Sequence, residues 1–134
     1  MGNTNSINRV NFEFVKNNIN NNEYIIINTL KNNEQDILIK NTISTNDEER
    51  EINYFLKNNK NKKILIYGIN SCDERLVYKY NQLSKLGFIN IYIYIGGLFE
   101  WLLLAEIYGY DEFEIINTNN YKIKNILKYK NYKK

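Results

Sequence analysis

Short apolar runs alternate with amphipathic segments along most of the chain. Runs rich in β-branched residues occur at residues 23–29, 64–67 and 89–95, and a weaker one at 37–39. A strand that is covered on both faces has no polar side, so continuous apolar runs of this length are typical of buried parallel strands. We therefore expect a strand at each of these four places.

The segments between these runs have the apolar spacing of helices. Thr45 and Asn46 precede three acidic residues, and either residue is expected to begin a helix. Ser71 or Asp73 is expected to cap a second helix, and Gly87 to end it. The apolar residues of that second helix are expected to be Leu76, Val77, Tyr80, Leu83 and Leu86.

The third candidate helix is an apolar segment, residues 98–107, that directly follows Gly96 and Gly97. We expect the two glycines to form a tight turn and the aromatic residues Phe99 and Trp101 to pack onto the sheet. A strand, a helix and a second strand within about 30 residues is the spacing of a right-handed crossover unit. The sequence therefore predicts an α/β domain with a mainly parallel sheet.

Absent residue types exclude several kinds of chemistry. The 134 residues include no His, no Pro and one Cys, Cys72. A histidine-based catalytic triad, a His-ligated metal, a zinc knuckle and an internal disulfide are therefore excluded, and we expect neither a metal nor a cofactor. No apolar run is long enough to span a bilayer and no secretory signal is recognisable, so the sequence favours a cytoplasmic protein.

The net charge of +3 is the sum of two opposite parts. Every acidic residue lies at or before Glu114, whereas the last 13 residues contain six lysines: Lys122, Lys124, Lys128, Lys130, Lys133 and Lys134. Such a tail is expected either to contact an anionic membrane surface or to remain a solvated segment. No nucleic-acid motif accompanies it, so we expect no nucleic-acid partner.

The N-terminus fits the acceptor pattern for N-myristoylation, since Gly2 is followed by Ser6. Residues 1–6 are expected to be a flexible acylation peptide. A single myristoyl chain binds membranes only marginally, so a second signal is needed for stable anchoring. The tail lysines can supply that signal, which predicts a lipoprotein on the cytoplasmic face of a membrane.

Residues 63–113 resemble the rhodanese-like family: a strand ILIY, a helix that ends in LGF, a strand IYIYI, and then GGLFEW, in which Gly96, Gly97 and Trp101 match the family. The earlier part is more divergent, with Asn28 and Leu30 where the family usually has Asp and Arg. The resemblance implies a single domain over residues 7–115 with a basic tail over 116–134. It also implies the sulfurtransferase fold, a central mainly parallel sheet flanked by helices on both faces.

Active members of the family carry a nucleophilic cysteine directly after the central strand, and the matching residue here is Gly68. The family's loop glycine and arginine correspond to Ser71 and Asp73. A glycine cannot attack sulfur, so the resemblance predicts a pseudoenzyme. We expect a non-catalytic binding or scaffolding module with an unidentified protein partner.

Two alternatives use the loop that follows Gly68. Cys72 is the only thiol available to a sulfurtransferase, although the neighbouring carboxylates of Asp73 and Glu74 disfavour a thiolate and repel anionic donors. The other alternative is an anion-binding loop without covalent chemistry, in which Arg75 holds the anion. Otherwise we expect Arg75 to pair with a carboxylate four residues away or to be solvated. The candidate loop residues are Gly68, Ile69, Asn70, Ser71, Asp73, Glu74 and Arg75.

Overall fold

The computed structural model describes residues 7–117. This part of the chain contains six strands and four α-helices, with a short 3-10 helix (Asn32–Glu34) between the second and third strands. In chain order they are β1 (Asn8–Val10), α1 (Phe12–Asn18), β2 (Tyr24–Asn28), β3 (Ile37–Ile39), α2 (Thr45–Asn58), β4 (Lys63–Tyr67), α3 (Glu74–Leu86), β5 (Ile91–Tyr94), α4 (Gly97–Tyr108) and β6 (Ile115–Asn117).

The main sheet has four strands in the order β1-β5-β4-β2, and all of its neighbours are parallel. Ile66 of the central strand β4 pairs with Ile27 on one side and with Ile93 on the other. Strands β3 and β6 form a separate antiparallel pair. The prediction of an α/β domain with a mainly parallel sheet is confirmed.

Helices cover both faces of the main sheet. On one face, Ile26 and Leu65 pack with buried residues of α1, α4 and β3. On the other face, Ile25 and Ile64 pack with buried residues of α2 and α3. Adjacent residues of a strand point to opposite faces, so apolar residues at consecutive positions supply both layers of the core.

Tyr67, the last residue of β4, joins the two sheets from within the core. Its hydroxyl accepts a hydrogen bond from the Ile39 N–H at 3.0 Å and lies 2.8 Å from the Thr42 hydroxyl. The side chain is fully buried, and this burial raises the pKa of Tyr67. The end of the central strand is therefore fixed directly before Gly68.

Three details differ from the sequence predictions. Helix α2 begins at Thr45 with Ser44 as its N-cap residue, so Thr45 and Asn46 lie inside the first turn. Ile89 is 70% exposed because pairing of β5 with β4 begins only at Ile91. Phe99 is 37% exposed, since it lies on the side of α4 that faces away from the sheet.

The second predicted helix is present as α3, but its apolar residues are not all buried. Leu76 and Leu83 face the core, whereas Val77 and Leu86 are exposed. Gly87 ends the helix as predicted, with a left-handed backbone.

Gly2 and the tail lysines lie outside the described residues, and the proposed domain boundaries stay predictions. Within residues 7–117, no helix is long and apolar enough to cross a membrane.

Candidate functional site

The loop of residues 68–75 leaves the carboxyl end of β4 beside the end of β2. Thr29 directly follows β2, and its N–H donates a hydrogen bond to the Tyr67 carbonyl at 2.9 Å. Ligand sites in open parallel sheets lie at this edge, because the loops after adjacent strands converge there. The topology therefore brings Thr29 and the loop together at the place where the fold positions a site.

The most buried polar side chain of the loop is that of Asp73, which is 2% exposed. It caps α3, because its Oδ1 accepts from the Arg75 N–H at 3.0 Å. Oδ1 also accepts from Arg75 Nε at 2.9 Å, and Oδ2 accepts from Arg75 Nη2 at 3.3 Å. The Thr29 hydroxyl donates to Oδ2 at 3.2 Å. Both carboxylate oxygens are thus fully engaged inside the loop.

This carboxylate occupies the space that a side chain at residue 68 would need. A Cβ atom on Gly68 would lie 2.3 Å from Asp73 Oδ2 and 2.8 Å from Thr29 Oγ1. Both distances are far below van der Waals contact. The position at which the resemblance implies a nucleophilic cysteine is therefore filled by the acid side chain of Asp73.

The surroundings of Asp73 favour its ionised form. Burial raises the pKa of the carboxyl group, but the hydrogen bonds and charge of Arg75 and the Ile69 N–H together outweigh this effect and lower the pKa. The loop accordingly holds a negative charge of its own. Arg75 pairs with a carboxylate, but its partner is Asp73, two residues away, and not a carboxylate four residues away as helical spacing led us to expect.

The start of α4 is hydrogen-bonded to the same loop. The N–H groups of Leu98 and Phe99 donate to the carbonyls of Gly68 and Ile69, each at 2.9 Å. Gly97 permits this contact because its φ is +69° and a Cβ there would lie 2.6 Å from the Gly68 carbonyl oxygen. Two donors of the helix N-terminus are therefore bound to protein carbonyls.

The outer part of the loop faces solvent. Cys72 is exposed, and its N–H donates to the Asn70 side-chain oxygen at 2.9 Å. Ser71 and Glu74 are also exposed. The fold thus brings Gly68, Asp73 and Arg75 together and leaves the thiol on the outer rim.

Thr29 is the member of the site that sequence reasoning missed. It is buried and supplies the hydroxyl on the far side of the Asp73 carboxylate. One available signal was its place directly after β2, the strand that pairs with β4. No group of three or more His, Cys, Asp or Glu residues suited to hold a metal occurs in the part of the chain that the structure describes.

Comparisons with known proteins agree on one fold. Residues 9–104 match the family model described as rhodanese-like domain. The Alr3790 protein from Anabaena sp., known from a crystal structure, shares 19% sequence identity with this chain. The match covers 72% of this chain and 76% of that protein's chain, and the TM-score is 0.56. The rhodanese-like domain of the same protein, known from a solution NMR structure, shares 17% sequence identity with this chain. That match covers 75% of this chain and 76% of the domain, and the TM-score is 0.57. No curated protein matches the chain.

Proposed function

The chain belongs to the rhodanese-like domain family, and we propose that it is a non-catalytic member that works as a binding or scaffolding module. The observation that carries this proposal is the Asp73 carboxylate in the side-chain space of Gly68. Residue 68 carries no nucleophile, and the Asp73 carboxylate occupies the space that a nucleophilic side chain would need.

The internal carboxylate also competes with an anionic substrate. Sulfane donors such as thiosulfate are anions, and their binding requires hydrogen-bond donors and positive charge. The Arg75 guanidinium and the Thr29 hydroxyl are already bound to Asp73. A second anion in this loop would find two of the five guanidinium N–H donors and the Thr29 hydroxyl already used, and it would meet a like charge, which disfavours the alternative of an anion-binding loop.

Exposed apolar residues beside the loop support a protein partner. Val77 is 52% exposed and Tyr78 is 70% exposed, and both lie within the first five residues of α3. By helical spacing, they stand on the same sides of α3 as Asp73 and Glu74, four residues earlier. Exposed tyrosines are enriched at protein interfaces, so this end of α3 is a suitable docking surface.

Anion binding and sulfur transfer can be measured on the same protein. The wild type should give no heat with thiosulfate in calorimetry and no thiocyanate in a thiosulfate–cyanide assay. Asp73→Ser should bind thiosulfate measurably, because the serine still caps α3 while Arg75 and Thr29 become available. Glu74→Ser, at an exposed neighbouring position, is the matched control and should not bind. Tight thiosulfate binding by the wild type would refute the proposal.

A second candidate function is sulfur transfer by Cys72, favoured by the exposure of this thiol on the loop. The thiolate would attack the outer sulfur of thiosulfate, release sulfite and become a persulfide, which then passes its terminal sulfur to an acceptor thiolate. Intact-mass analysis after incubation with thiosulfate should show one added sulfur atom if this candidate holds. The adduct must disappear in Cys72→Ser. Under the leading proposal, the wild-type mass does not change.

We also propose that Gly2 is myristoylated and holds the protein at a cytoplasmic membrane surface, with the tail lysines as the second signal. The N-terminal pattern and the lysine-rich tail support this proposal. Metabolic labelling with a myristate analogue should modify the wild type and not Gly2→Ala, with Asn3→Ala as the control that remains labelled. An unlabelled wild type would exclude acylation.

A further inference from the structure

Helix α4 is apolar on its outer side as well as on its inner side. Leu98, Trp101, Leu102 and Ala105 are buried against the core. On the opposite side, Phe99, Leu103 and Ile107 are exposed by 37%, 42% and 62%. These three residues recur every four positions, so they form one continuous band, called here the α4 stripe.

Helices that are apolar all round are normally buried on all sides. Within residues 7–117, the α4 stripe is left open to solvent. We propose that the C-terminal segment of the same chain, residues 118–134, packs on the α4 stripe. This inference concerns the outer surface of the domain and does not depend on the loop at Gly68.

The chain passes beside α4 shortly before the segment begins. The Trp101 indole N–H donates to the Glu114 carbonyl at 3.0 Å, and the rings of Trp101 and Phe113 lie 5.0 Å apart. Asn117, the end of β6, follows three residues later. The 17 residues that follow can span about 55 Å when extended, whereas the 12 residues of α4 occupy about 18 Å. The segment is therefore long enough to turn around the helix and run along it.

The composition of the segment complements the surface around the α4 stripe. The segment carries no acid and six lysines, and its apolar residues are Tyr121, Ile123, Ile126, Leu127, Tyr129 and Tyr132. Ile123, Ile126 and Leu127 have the spacing of one helical face. Helix α4 contains Glu100 and Glu106 and no basic residue.

The same charges argue against two other occupants. Two copies that met through the α4 stripe would bring Glu100 and Glu106 close to the same acids of the partner. An anionic lipid surface would also be repelled by these carboxylates. A lysine-rich segment is instead attracted by Glu100 and Glu106. Lysines of the segment that do not contact α4 would stay available to a membrane.

Cysteine cross-linking in the full-length protein tests the contact. In a Cys72→Ser background, Leu103→Cys combined with Ile126→Cys should form a disulfide within one chain under mild oxidation. Tyr54→Cys with Ile126→Cys is the matched control, because Tyr54 is at least as exposed as Leu103 but lies on α2, across the sheet from α4. The control pair should cross-link at least tenfold more slowly.

A second measurement avoids introduced thiols. Trypsin should cleave after Lys124 and Lys128 about tenfold faster in Leu103→Asp/Ile107→Asp than in the wild type, because the charged residues release the segment. Tyr54→Asp should leave the cleavage rate unchanged.

A disulfide between two chains would assign the α4 stripe to a second copy. Protection of the segment only with anionic vesicles would assign it to a membrane, and either result, or equal cleavage rates, would overturn the proposal.

Discussion

The loop after β4 and the α4 stripe are neighbouring surfaces with opposite properties. In the loop, the Asp73 carboxylate is held by Arg75 and Thr29, so the polar groups satisfy one another. On α4, the apolar side chains of the α4 stripe are partly exposed to solvent. The comparison shows that the polar groups of the loop are bound to one another, whereas the apolar side chains of the α4 stripe are partly exposed to solvent.

The two regions are joined at one residue, Gly97. Its left-handed backbone lets the first turn of α4 approach the Gly68 carbonyl, so the loop and the helix share a rigid boundary. Changes on either side of this boundary should therefore have effects that differ in size and in kind.

The largest effect should come from the inner side of α4. Trp101 is fully buried, packs edge-to-face on Tyr94 and donates a hydrogen bond to Glu114. Trp101→Ala should lower the free energy of unfolding by about 3–5 kcal/mol. Leu103→Ala, on the outer side of the same helix, should cost about 1 kcal/mol or less. Urea denaturation measures both, and equal costs would contradict the two-sided description of α4.

The second-largest loss of stability should come from a substitution at Gly97, where α4 meets the loop. Gly97→Ala places a side chain at a φ of +69° and against the Gly68 carbonyl oxygen. The backbone conformation costs about 1–2 kcal/mol, and the backbone clash adds about 1–3 kcal/mol. Thermal or urea unfolding should show the sum. Gly87→Ala is the control for conformation, since Gly87 also has a left-handed backbone and the nearest atoms to its Cβ would be the flexible end of the Lys60 side chain at 3.3 Å.

A side chain at residue 68 should lower the free energy of unfolding by less than one at residue 97, because the obstructing group is a side chain and not the backbone. Gly68→Ala should destabilise by about 1–3 kcal/mol in the wild type. In an Asp73→Ser background, the same substitution should cost measurably less, since the carboxylate no longer occupies the space and the Thr29 hydroxyl, 2.8 Å from the new Cβ, is the close contact that remains. A double-mutant cycle from urea unfolding gives the coupling. Identical costs in the two backgrounds would show that Asp73 does not fill the position.

The pH dependence should show a smaller effect. The pKa of Asp73 is lowered in the folded protein, so the stability it contributes is present above its unfolded pKa of about 3.9 and is lost as the pH falls through the folded pKa. The stability difference between the wild type and Asp73→Asn should therefore shrink between pH 6 and pH 3. Denaturation midpoints of both proteins, measured at each pH, test this, and a difference that stays constant over this range would contradict it.

The smallest effect should be that of Cys72→Ser. The side chain is exposed, and only its backbone N–H is bound within the loop. Stability should change by less than about 0.5 kcal/mol. A larger loss in urea denaturation would mean that the thiol contributes to packing in the loop.

Much of the fold was predictable from the sequence, because apolar runs and helix-ending residues are local signals. The strands β2, β4 and β5 and the helices between them follow from these patterns. The pairing of β3 with β6 did not, since strands of three residues carry little periodicity and their partners are 76 or more residues apart. The outward position of Phe99 was also missed, because a helix that is apolar all round gives no amphipathic direction.

For the site, the sequence correctly placed Gly68 after the central strand and Asp73 as one of two candidate caps. It did not show that the two residues compete for the same space. That relation depends on the turn between them, which begins at Asn70 and folds the carboxylate back over the glycine. The role of Thr29 likewise depends on the lateral order of the strands, which is a tertiary property.

The steric relation between residues 68 and 73 also limits how the sequence can change over time. A cysteine at residue 68 that appears first would meet the Asp73 carboxylate, whose nearer oxygen lies 2.3 Å from the new Cβ. Replacement of Asp73 first exposes Arg75 and Thr29 and only then makes room for a nucleophile. A mutational route that places a cysteine at residue 68 therefore has a preferred order, in which the bound carboxylate of Asp73 is replaced first.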